Sequence, residues 1–404
     1  MAKPTIRFKG YTDDWEQRKL GELGEILTGS TPSTSNSAYY SEDGIPWVTP
    51  TDINELTISD TPRKLSEEGA KVGRVVPANT ILCTCIASIG KNALLTVKGS
   101  FNQQINSLTP SAGNDAYFLL TESELWSNKM KRMAASGTMQ IVNKTEFSEL
   151  DTLVPSTDEQ KKIGSYFRNL DHLITLHQRK CEETKILKKY MLQKMFPQNG
   201  QKVPEIRFKG FTDDWEQRKL KEILSFLKDG THGTHADAVD GPLLLSAKNI
   251  KDGTIKWDES DRRISQDEYE KIHSKFYLKK GDVLLTIVGS IGETAILKDS
   301  EGITFQRSVA FLRPNEDISS DFLHAKIQTP TFQKNLESRK STSAQPGIYL
   351  GDLAEIPVKY APSLEEQIKI GKYFEEIDHL ITLHQRKCEE LKNIKKFMLQ
   401  TMFV

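Results

Sequence analysis

The chain has 404 residues, of which 37% are hydrophobic and 27% charged, and lysine plus arginine equal aspartate plus glutamate at 55 each. This length predicts two to three domains, each large enough to bury its own core. No apolar run approaches the roughly 20 residues that cross a bilayer, and the balanced charge argues against nucleic-acid binding by bulk charge alone. We expect a soluble protein whose binding surfaces are local.

The first residues and the cysteines bear on the cellular compartment. The segment MAKPTIRFKG has no apolar core followed by a small-residue cleavage site, so it does not resemble an export signal. Cys83-Thr84-Cys85 and the isolated Cys181 and Cys388 lack the two-residue gap of a zinc or redox pair. A cytoplasmic protein without disulfides or a cysteine metal site is predicted.

Two blocks of sequence occur twice. IRFKGYTDDWEQRKL at residues 6–20 returns at 206–220 with one change, and the segment 171–196 returns at 378–403, including the identical stretch DHLITLHQRKCEE. A unit of about two hundred residues written twice is too few copies for a solenoid and is typical of two pseudo-symmetric halves.

Between the copied blocks, residues 21–155 and 221–362 show almost no identity. Both are rich in short β-branched runs that are broken by Gly, Pro, Asn and Asp. TILCTCIAS (80–88) and DVLLTIVGS (282–290) predict buried strands, whereas SNKMKRMA (127–134) and DFLHAKIQ (321–328) predict short helices. Each region is therefore predicted to be a mixed α/β globule, and PANTILCTCIASIGKNALL resembles KKGDVLLTIVGSIGETAIL enough to indicate a shared fold.

The second copied block predicts a long helix from residue 158 to 195, and again near the end of the chain. Proline, an N-cap serine and acidic residues mark each start, at residues 155–159 and 362–366, and Pro197 ends the first helix before the linker QNGQKVP. Apolar residues recur at three-four spacing, as in the seam of a helix pair. The seam positions are Ile163, Phe167, Leu170, Ile174, His177 and Cys181, then Ile370, Phe374, Ile377, Ile381, His384, Cys388 and Leu391.

Two helices of equal length with one seam pack most simply against each other, antiparallel. The fold class predicted is α+β, with two pseudo-symmetric halves and a coiled-coil bar. The predicted boundaries are 1–155 for the first α/β domain, 156–197 for the central helix, 198–362 for the linker and second domain, and 363–404 for the distal helix. A bar of this kind presents two equivalent outer faces, which fit two copies of one partner.

Trp15 and Trp215 are either core anchors or partner contacts, and core packing is the default for large aromatics. His177 and His384 lie on the predicted seam, where a satisfied buried histidine is the default. The polar face of each long helix is predicted to bind a partner through Gln178, Arg179 and Lys180 and through their copies Gln385, Arg386 and Lys387. A charged helix face is usually only solvated, however, and gene duplication also explains the copied sequence.

The order of blocks, WEQRKL, a variable region, a PS-x-x-EQ-x-x-I helix and then all three again, resembles the specificity subunit of Type I restriction-modification enzymes. The resemblance covers essentially the whole chain. Further matches are Gly44-Ile45-Pro46-Trp47-Val48 with Thr51-Asp52-Ile53 in the first variable region, and DGTHGTH (229–235), LLSAKNI (244–250) and GDVLLTIVGSIG (281–292) in the second. The tetrapeptide repeats that lengthen the helices in some members are absent from this sequence.

The resemblance implies that each variable region is a target recognition domain for half of a split double-stranded DNA site, and that the bar sets the spacer. It implies two adenine-N6 methyltransferase subunits as partners and, through them, restriction subunits, with no membrane association. The subunit itself is expected to need no cofactor, whereas the complex is expected to use S-adenosylmethionine, ATP and Mg²⁺. Independently of the resemblance, a split site needs two readers at a fixed separation, which stiff helices supply and a flexible linker does not.

Base reading favours Arg or Lys for guanine, Asn or Gln for adenine, and Ser or Thr as adaptable groups on loops. Solvated loop residues or phosphate contacts are the competing interpretation of each. The first-domain candidates are Thr31, Ser33, Arg63, Lys64, Gln103, Gln104, Ser136, Thr138 and Gln140. The second-domain candidates are His232, Thr234, His235, Lys248, Asn249, Arg262, Arg263, Arg307, Lys340, Thr342 and Gln345.

Catalytic motifs would favour an enzyme instead. His232 and His235 are spaced like metal ligands, but their loop lacks a general-base glutamate and a third ligand pattern, which favours a turn or DNA contact. Walker, nucleophile-elbow, dinucleotide and Asn/Asp-Pro-Pro-Tyr/Phe motifs are absent from the sequence, so catalysis is expected in a partner. The alternative to a DNA reader is an adaptor that joins two protein-binding heads, which would show neither a steep salt dependence nor a mismatch penalty on DNA.

Overall fold

The computed structural model describes residues 3–136, 141–198, 200–274, 276–341 and 346–403. The chain folds as two compact units, of which the first comprises Met1–Leu176 with Lys387–Val404 and the second comprises His177–Arg386. None of the helices in the described ranges is long and apolar enough for a membrane span.

Three sheets lie in the part of the first unit that the structure describes. Their strands are β1 (Glu16–Lys19), β2 (Gly24–Thr28), β3 (Tyr40–Val48), β4 (Thr57–Ile58), β5 (Lys64–Leu65), β6 (Val75–Val76), β7 (Thr80–Thr84), β8 (Asn92–Leu95), β9 (Gly99–Phe101), β10 (Ile105–Pro110) and β11 (Asp151–Val154). The strand orders are β2-β10-β7-β8-β4, β5-β3-β9-β6 and β1-β11. The helices are α1 (Leu20–Leu23), α2 (Glu67–Val72), α3 (Ala116–Ser136), α4 (Lys144–Ser148) and the part of α5 (Thr157–Lys194) up to Leu176, and Ser37–Tyr39 form a 3₁₀ turn.

The second unit repeats this plan with shorter sheets. Its strands are β12 (Glu216–Lys219), β13 (Leu224–Asp229), β14 (Leu243–Leu245), β15 (Ile250–Lys251), β16 (Thr254–Ile255), β17 (Val283–Thr286), β18 (Thr294–Ile296), β19 (Ile303–Phe305), β20 (Val309–Pro314) and β21 (Pro357–Tyr360). The orders are β13-β20-β17-β18, β14-β19, β15-β16 and β12-β21. The helices are α6 (Gln266–His273), α7 (Ser320–Ile327), α8 (Pro330–Glu337), α9 (Leu350–Ala354) and the part of α10 (Leu364–Met402) up to Arg386, with 3₁₀ turns at Leu220–Ile223 and Ala247–Asn249.

The buried strands β7 and β17 lie where the apolar runs predicted them, and both end in the same turn. The hydroxyl of Thr84 accepts from the backbone N–H of Lys91 at 2.9 Å, and the hydroxyl of Thr286 accepts from that of Glu293 at 2.9 Å. The prediction of a short helix at 127–134 was too narrow, because this segment is the end of the 21-residue α3. Buried Tyr117, Phe118 and Trp126 extend its apolar face toward the N-terminus.

The copied N-terminal block docks onto the start of the following long helix in each unit. Arg7 donates two hydrogen bonds to Glu159 at 2.7 and 2.8 Å, and Arg207 donates two to Glu366 at the same distances. Both carboxylates are buried, at 0% and 1% side-chain exposure. Bidentate, charge-assisted bonds fix orientation as well as distance, so each helix start is held to its own domain.

The glutamine that follows each of these glutamates holds the neighbouring loop. Gln160 accepts from the N–H of Asp115 at 3.0 Å, and Gln367 accepts from that of Ser319 at 3.0 Å. Four residues farther along the helix, a Cβ at Gly164 would meet the N of Phe118 at 2.9 Å, and one at Gly371 would meet that of Phe322 at 2.9 Å. The helix therefore lies against the backbone of the domain, where only glycine fits.

The two long helices run antiparallel within each unit. In the first unit Asp171 of α5 pairs with Lys395 of α10 at 2.8 Å. In the second unit Lys188 of α5 pairs with Asp378 of α10, and Nδ1 of His177 lies 3.0 Å from Nδ1 of His384, so one imidazole donates to the other. The seam predicted from spacing is confirmed by the burial of its apolar members in both helices.

Aromatic clusters close each unit around the end of the other long helix. In the first, Phe403 lies 6.0 Å from Trp15, 5.6 Å from Phe118 and 5.7 Å from Phe167, measured between ring centroids. In the second, Phe196 lies 5.9 Å from Trp215, 5.5 Å from Phe322 and 5.9 Å from Phe374. Trp15 and Trp215 are 4% and 6% exposed, so core packing is confirmed for both.

Replacement of these terminal rings should loosen one unit at a time. Phe403→Ala is expected to cost about 3–5 kcal/mol because it leaves a cavity among packed rings. Hydrogen exchange on the full chain should then show faster exchange in α3 and β1, with β12 and α7 unchanged, whereas Phe196→Ala should show the reverse. Equal loss of protection in both units from either variant would contradict this packing.

A buried carboxyl in α3 should make the first unit sensitive to pH. Burial raises the pKa of Glu122 from 4.5 to about 8, and hydrogen bonds from Thr152 and the Leu153 backbone only partly oppose it. The native state then keeps the proton that the unfolded chain releases, so the contribution of Glu122 to stability is fully present below about pH 4.5 and is lost as the pH rises toward about 8.

Glu122→Gln should flatten this dependence in thermal unfolding or exchange measurements of the first unit between about pH 5 and 8. The exposed Glu25→Gln provides the control and should keep it. A wild-type first unit whose stability is flat over this range would show that Glu122 is ionised in the native state.

Candidate nucleic-acid interface

The two variable domains build the same backbone frame around their candidate reading residues. After β2, the N–H of Ser30 donates to the carbonyl of Phe101 at 2.9 Å, and after β13 the N–H of Thr231 donates to that of Phe305 at 2.9 Å. The preceding Gly29 and Gly230 pack so closely that a Cβ would lie 2.1 Å from a carbonyl oxygen in each case. Thr31 and His232 therefore occupy matching positions, and so do Gln103 and Arg307.

These four side chains are exposed at the edge of the frame. The hydroxyl of Thr31 donates to the Oε1 of Gln103, so the structure brings these two predicted residues together. His232 bonds Asp229 at 2.6 Å, and the N–H of Arg307 donates to the carbonyl of Thr231 at 3.0 Å. Ser33 and Thr234 follow on the same exposed segments, and Gln104 is half-buried behind Gln103.

A second pair of matching positions carries positive charge. The N–H of Trp47 donates to the carbonyl of Arg63 at 3.1 Å, and the N–H of Leu244 donates to that of Arg262 at 2.8 Å. Arg63 corresponds to Arg262 in this register, and the next residues, Lys64 and Arg263, correspond to each other. Arg63 is exposed, whereas Lys64 pairs with Asp60 at 2.9 Å.

In the second unit the matching arginines are tied to their loop. Arg262 bonds Asp237 at 2.6 Å and the carbonyl of His235 at 2.8 Å. Arg263 donates to the carbonyl of Gly241 at 2.8 Å. Their guanidinium groups are thus positioned before any ligand arrives.

The side chain of Asn249, a predicted DNA-reading residue, is held by two hydrogen bonds to the backbone. Asn249 is 4% exposed, accepts from the N–H of Ser246 at 3.0 Å and donates to the carbonyl of Lys256 at 3.0 Å. In the first unit Asp52 likewise accepts from the N–H of Thr49 at 2.8 Å. Asn249 and Asp52 therefore occupy corresponding positions and hold the same turn in the two units. The exposed Lys248 corresponds to Thr51 of the first unit.

Lys248 and Asn249 also lower the pKa of a buried carboxyl group, that of Asp261. Lys248 pairs with Asp261 at 2.7 Å. This ammonium, and next the amide of Asn249, lower the pKa of Asp261 to about 2. The turn therefore presents Lys248 with its ammonium already held by a carboxylate.

His235 is the other residue with two partners. It is 9% exposed, with one ring nitrogen 2.7 Å from the hydroxyl of Thr231 and the other 2.7 Å from Glu268. These bonds orient the loop that carries His232 and Thr234. Across the described ranges, His, Cys, Asp and Glu form no group of three or more that could hold a metal ion.

The last predicted loop in each domain lies mostly outside the described residues, namely Thr138, Gln140, Thr342 and Gln345. Ser136 ends α3, and its side chain also lies outside the description. Lys340 forms an ion pair with Glu337. The bridges Ile86–Ile141 and Val288–Gly347 follow these loops at matching places in the two units.

The predicted partner-binding residues lie on the exposed side of the long helices. Gln178, Arg179 and Lys180 are exposed, as are Arg386 and Lys387, while Gln385 is half-buried. Arg179 and Lys387 lie 3.8 and 3.4 Å from glutamates of their own helices.

A second stripe on these helices was missed by sequence analysis. Each of its positions lies one residue before a position in the register of the buried seam, so the stripe is rotated from the seam by about 100° around the helix axis. Its members are Leu173, Leu176, Lys180, Glu183, Leu187 and Tyr190 on α5, and Leu380, Leu383, Lys387, Glu390, Ile394 and Phe397 on α10. Leu176 is half-buried, and the other apolar members are substantially exposed, from 40% for Leu173 to 54% for Phe397. Solvent-exposed apolar stripes of this kind mark interaction surfaces.

Comparisons with known proteins agree with this geometry. The family model described as Type I restriction modification DNA specificity domain matches residues 12–185 and again 212–393. The MjaVIII specificity subunit of Methanocaldococcus jannaschii is 24% identical over 407 residues, which cover 95% of this chain and 91% of that one. The HindI specificity subunit of Haemophilus influenzae is 32% identical over 163 residues, which cover 38% of this chain and 35% of that one.

A solved structure shows the same fold. The crystal structure of the Type-I restriction-modification S subunit from M. genitalium aligns with a TM-score of 0.68 at 15% identity, covering 100% of this chain and 99% of that one. The family model alone covers well over half of the sequence, in two copies that follow the two halves. The chain therefore belongs to the Type I restriction modification DNA specificity family and is a non-catalytic subunit that recognises DNA sequence.

Proposed function

We propose that each unit reads one half of a bipartite, asymmetric DNA site, that the long helices set the spacer, and that these helices dock two adenine-N6 methyltransferase subunits and, through them, restriction subunits. The observation that carries the proposal is the shared frame with unlike side chains. Thr31 is matched by His232, and Gln103 by Arg307. One frame with two chemistries gives an asymmetric target.

The reading chemistry follows from the side chains at the exposed edge. A glutamine amide can bond both N6 and N7 of adenine, whereas an arginine can bond both O6 and N7 of guanine. Gln103 in the first unit and Arg307 in the second are thus our principal candidates. The other exposed residues predicted from sequence are proposed to add base or phosphate contacts, with His235 and Asn249 holding their loops.

The helices suit a spacer because they are long and continuous. α5 has 38 residues and α10 has 39, and each contributes residues to both units. A helix of 38 residues is about 57 Å long. Half-sites one turn of DNA apart are separated by about 34–36 Å, which lies within this length.

The docking part of the proposal rests on the exposed stripe. In the first unit its apolar members are Leu173, Leu176, Ile394 and Phe397, and in the second they are Leu380, Leu383, Leu187 and Tyr190. Equivalent surfaces on pseudo-symmetric halves bind equivalent copies of one partner. The subunit is proposed to need no cofactor and to act in the cytoplasm, while the assembled complex would use S-adenosylmethionine, ATP and Mg²⁺.

The reading edge of each unit is the exposed edge of its frame, which carries Thr31 and Gln103 in the first unit and His232 and Arg307 in the second. A single substitution there should relax the base specificity of one half of the site. Gln103→Ala should broaden base choice in one half of the methylated motif and Arg307→Ala in the other, because each removes about 1–3 kcal/mol of base discrimination. The measurement is genome-wide mapping of methylated adenines in cells that carry each variant together with the methyltransferase. Glu25→Ala, at an exposed position of β2, is the control and should leave the motif unchanged. Relaxation of the same half by both variants would refute the assignment of one half to each unit.

Charges placed in the apolar stripe should remove one methyltransferase at a time. Leu173→Glu with Phe397→Glu should lower the number bound per chain from two to one, and Leu380→Glu with Tyr190→Glu should do the same, because a charge would be buried against the partner. Native mass spectrometry of the co-expressed complex gives the count.

Arg179→Glu, on the polar face, is the matched comparison for this experiment. It should keep two methyltransferases per chain if the stripe is the contact. Loss of a subunit from Arg179→Glu, with the stripe variants fully assembled, would instead place the interface on the face of Gln178 and Arg179 and their copies, since Lys180 and Lys387 belong to both sets.

A further inference from the structure

A groove in the first unit lies between α3 and the C-terminal part of α10. It has a volume of about 670 Å³, and its lining combines Leu56, Leu120, Leu125 and Leu399 with polar side chains and with Lys131, Lys392, Lys395 and Lys396. Glu124 is the one carboxylate among the described residues that line it. The groove is therefore strongly cationic, although the whole chain has no net charge.

Most of these ammonium groups are available to a ligand. Lys395 is occupied, since it lies 2.8 Å from Asp171 and 3.5 Å from Glu124. Lys131, Lys392 and Lys396 are exposed, and within the described ranges no carboxylate lies at ion-pair distance from them. Unpaired cations grouped in a concave surface attract an anion more strongly than scattered surface lysines do.

The matching groove of the second unit provides an internal comparison. The same copied helix sequence places Lys185, Lys188 and Lys189 along a groove of about 410 Å³. Its lining also includes Asp252, Glu293 and Asp378, and Lys188 pairs with Asp378. Three acids therefore lie in this groove beside three lysines, although Asp252 also pairs with Lys256 at 2.6 Å, whereas the lining of the first groove has one acid beside four lysines.

The cationic groove is joined to the reading edge of the first unit by hydrogen bonds. Ser127, in its lining, donates to the carbonyl of Gly90 at 2.8 Å, and the N–H of Gly90 donates to that of Thr84 at 2.9 Å. The next residue, Cys85, donates its N–H to the carbonyl of Gln104 at 2.8 Å. The groove and the candidate reading residue Gln104 are therefore linked by hydrogen bonds through the buried end of β7.

We propose that the groove lined by Lys131, Lys392 and Lys396 binds the sugar–phosphate backbone of duplex DNA beside the half-site read by the first unit. The inference rests on the proposed function, because it takes the reading edge as the place where DNA lies. A regularly charged polyanion fits a row of unpaired ammonium groups on two elements, and phosphate contacts position DNA without reading its sequence. The first unit then contributes more than the second to sequence-independent binding of DNA.

The test compares two pairs of lysines that are copies of each other. Lys392→Gln with Lys396→Gln removes charge from the first groove, and Lys185→Gln with Lys189→Gln removes the same charge from the second. A third variant, Lys131→Gln, changes the first groove from α3 instead of the copied helix. Each full-length chain is purified with its methyltransferase partner. Binding is measured to a duplex carrying the methylated motif and to a random duplex of equal length.

The readout is the slope of log Kd against log salt between about 50 and 200 mM, which reports the number of phosphates neutralised. Lys392→Gln with Lys396→Gln should reduce the slope by about 1.8, and Lys131→Gln by about 0.9, on both duplexes. Lys185→Gln with Lys189→Gln should change it by less than about half a unit. The ratio of specific to random binding should stay constant in all variants.

Two results would overturn the proposal. Equal changes in slope from the two lysine pairs would mean that the first groove has no special contact with DNA. Loss of the methyltransferase from the Lys392→Gln, Lys396→Gln complex, with the slope unchanged, would mean that the groove binds an acidic protein surface. A wild-type complex that does not distinguish its motif from the random duplex would instead refute the proposed function itself.

Discussion

The buried pairs Arg7–Glu159 and Arg207–Glu366 are the contacts on which the arrangement of each unit depends. Each joins the copied N-terminal block to the first turn of a long helix through two short bonds. Removal of one partner from a buried pair costs about 3–5 kcal/mol, because the remaining charge stays buried without a counterion. The surface of a variable domain can therefore change freely, provided that its last residues place the first turn of the long helix beside Arg7 or Arg207.

The copied helix sequence makes a second kind of complementarity. Its acid near the start and its lysine near the end meet in antiparallel order, as Asp171 meets Lys395 and Asp378 meets Lys188. The aromatic residue that ends each copy then packs on a copied tryptophan, Phe403 on Trp15 and Phe196 on Trp215. A nearly identical sequence serves both units because each unit contains the start of one copy and the end of the other. Divergence of either copy would unpair both sets of contacts, whereas the reading edges carry no such constraint.

The features that sequence analysis predicted well are local ones. The three-four spacing of the seam and the apolar runs of β7 and β17 are periodic signals within a single segment, and the order of copied blocks identified the family. Sequence analysis favoured a turn or DNA contact for the loop of His235, but the distant partners that hold Asn249 and His235, Lys256 and Glu268, were not predictable because they lie in other segments. The register of Arg63 with Arg262 likewise depends on backbone bonds that almost unrelated sequences share. The apolar stripe was overlooked because the seam explained the helical periodicity, and only burial separates the two.

Two matched frames are proposed to read DNA independently on a constant scaffold. The most direct measurement replaces residues 21–155 with the corresponding region of another family member, while both copied blocks and the second variable domain are kept. Methylated adenines are then mapped across the genome of cells carrying the chimera and its methyltransferase. We expect a new sequence in one half of the motif, with the spacer length and the other half unchanged. A change in both halves, or an altered spacer, would contradict independent reading on a constant scaffold.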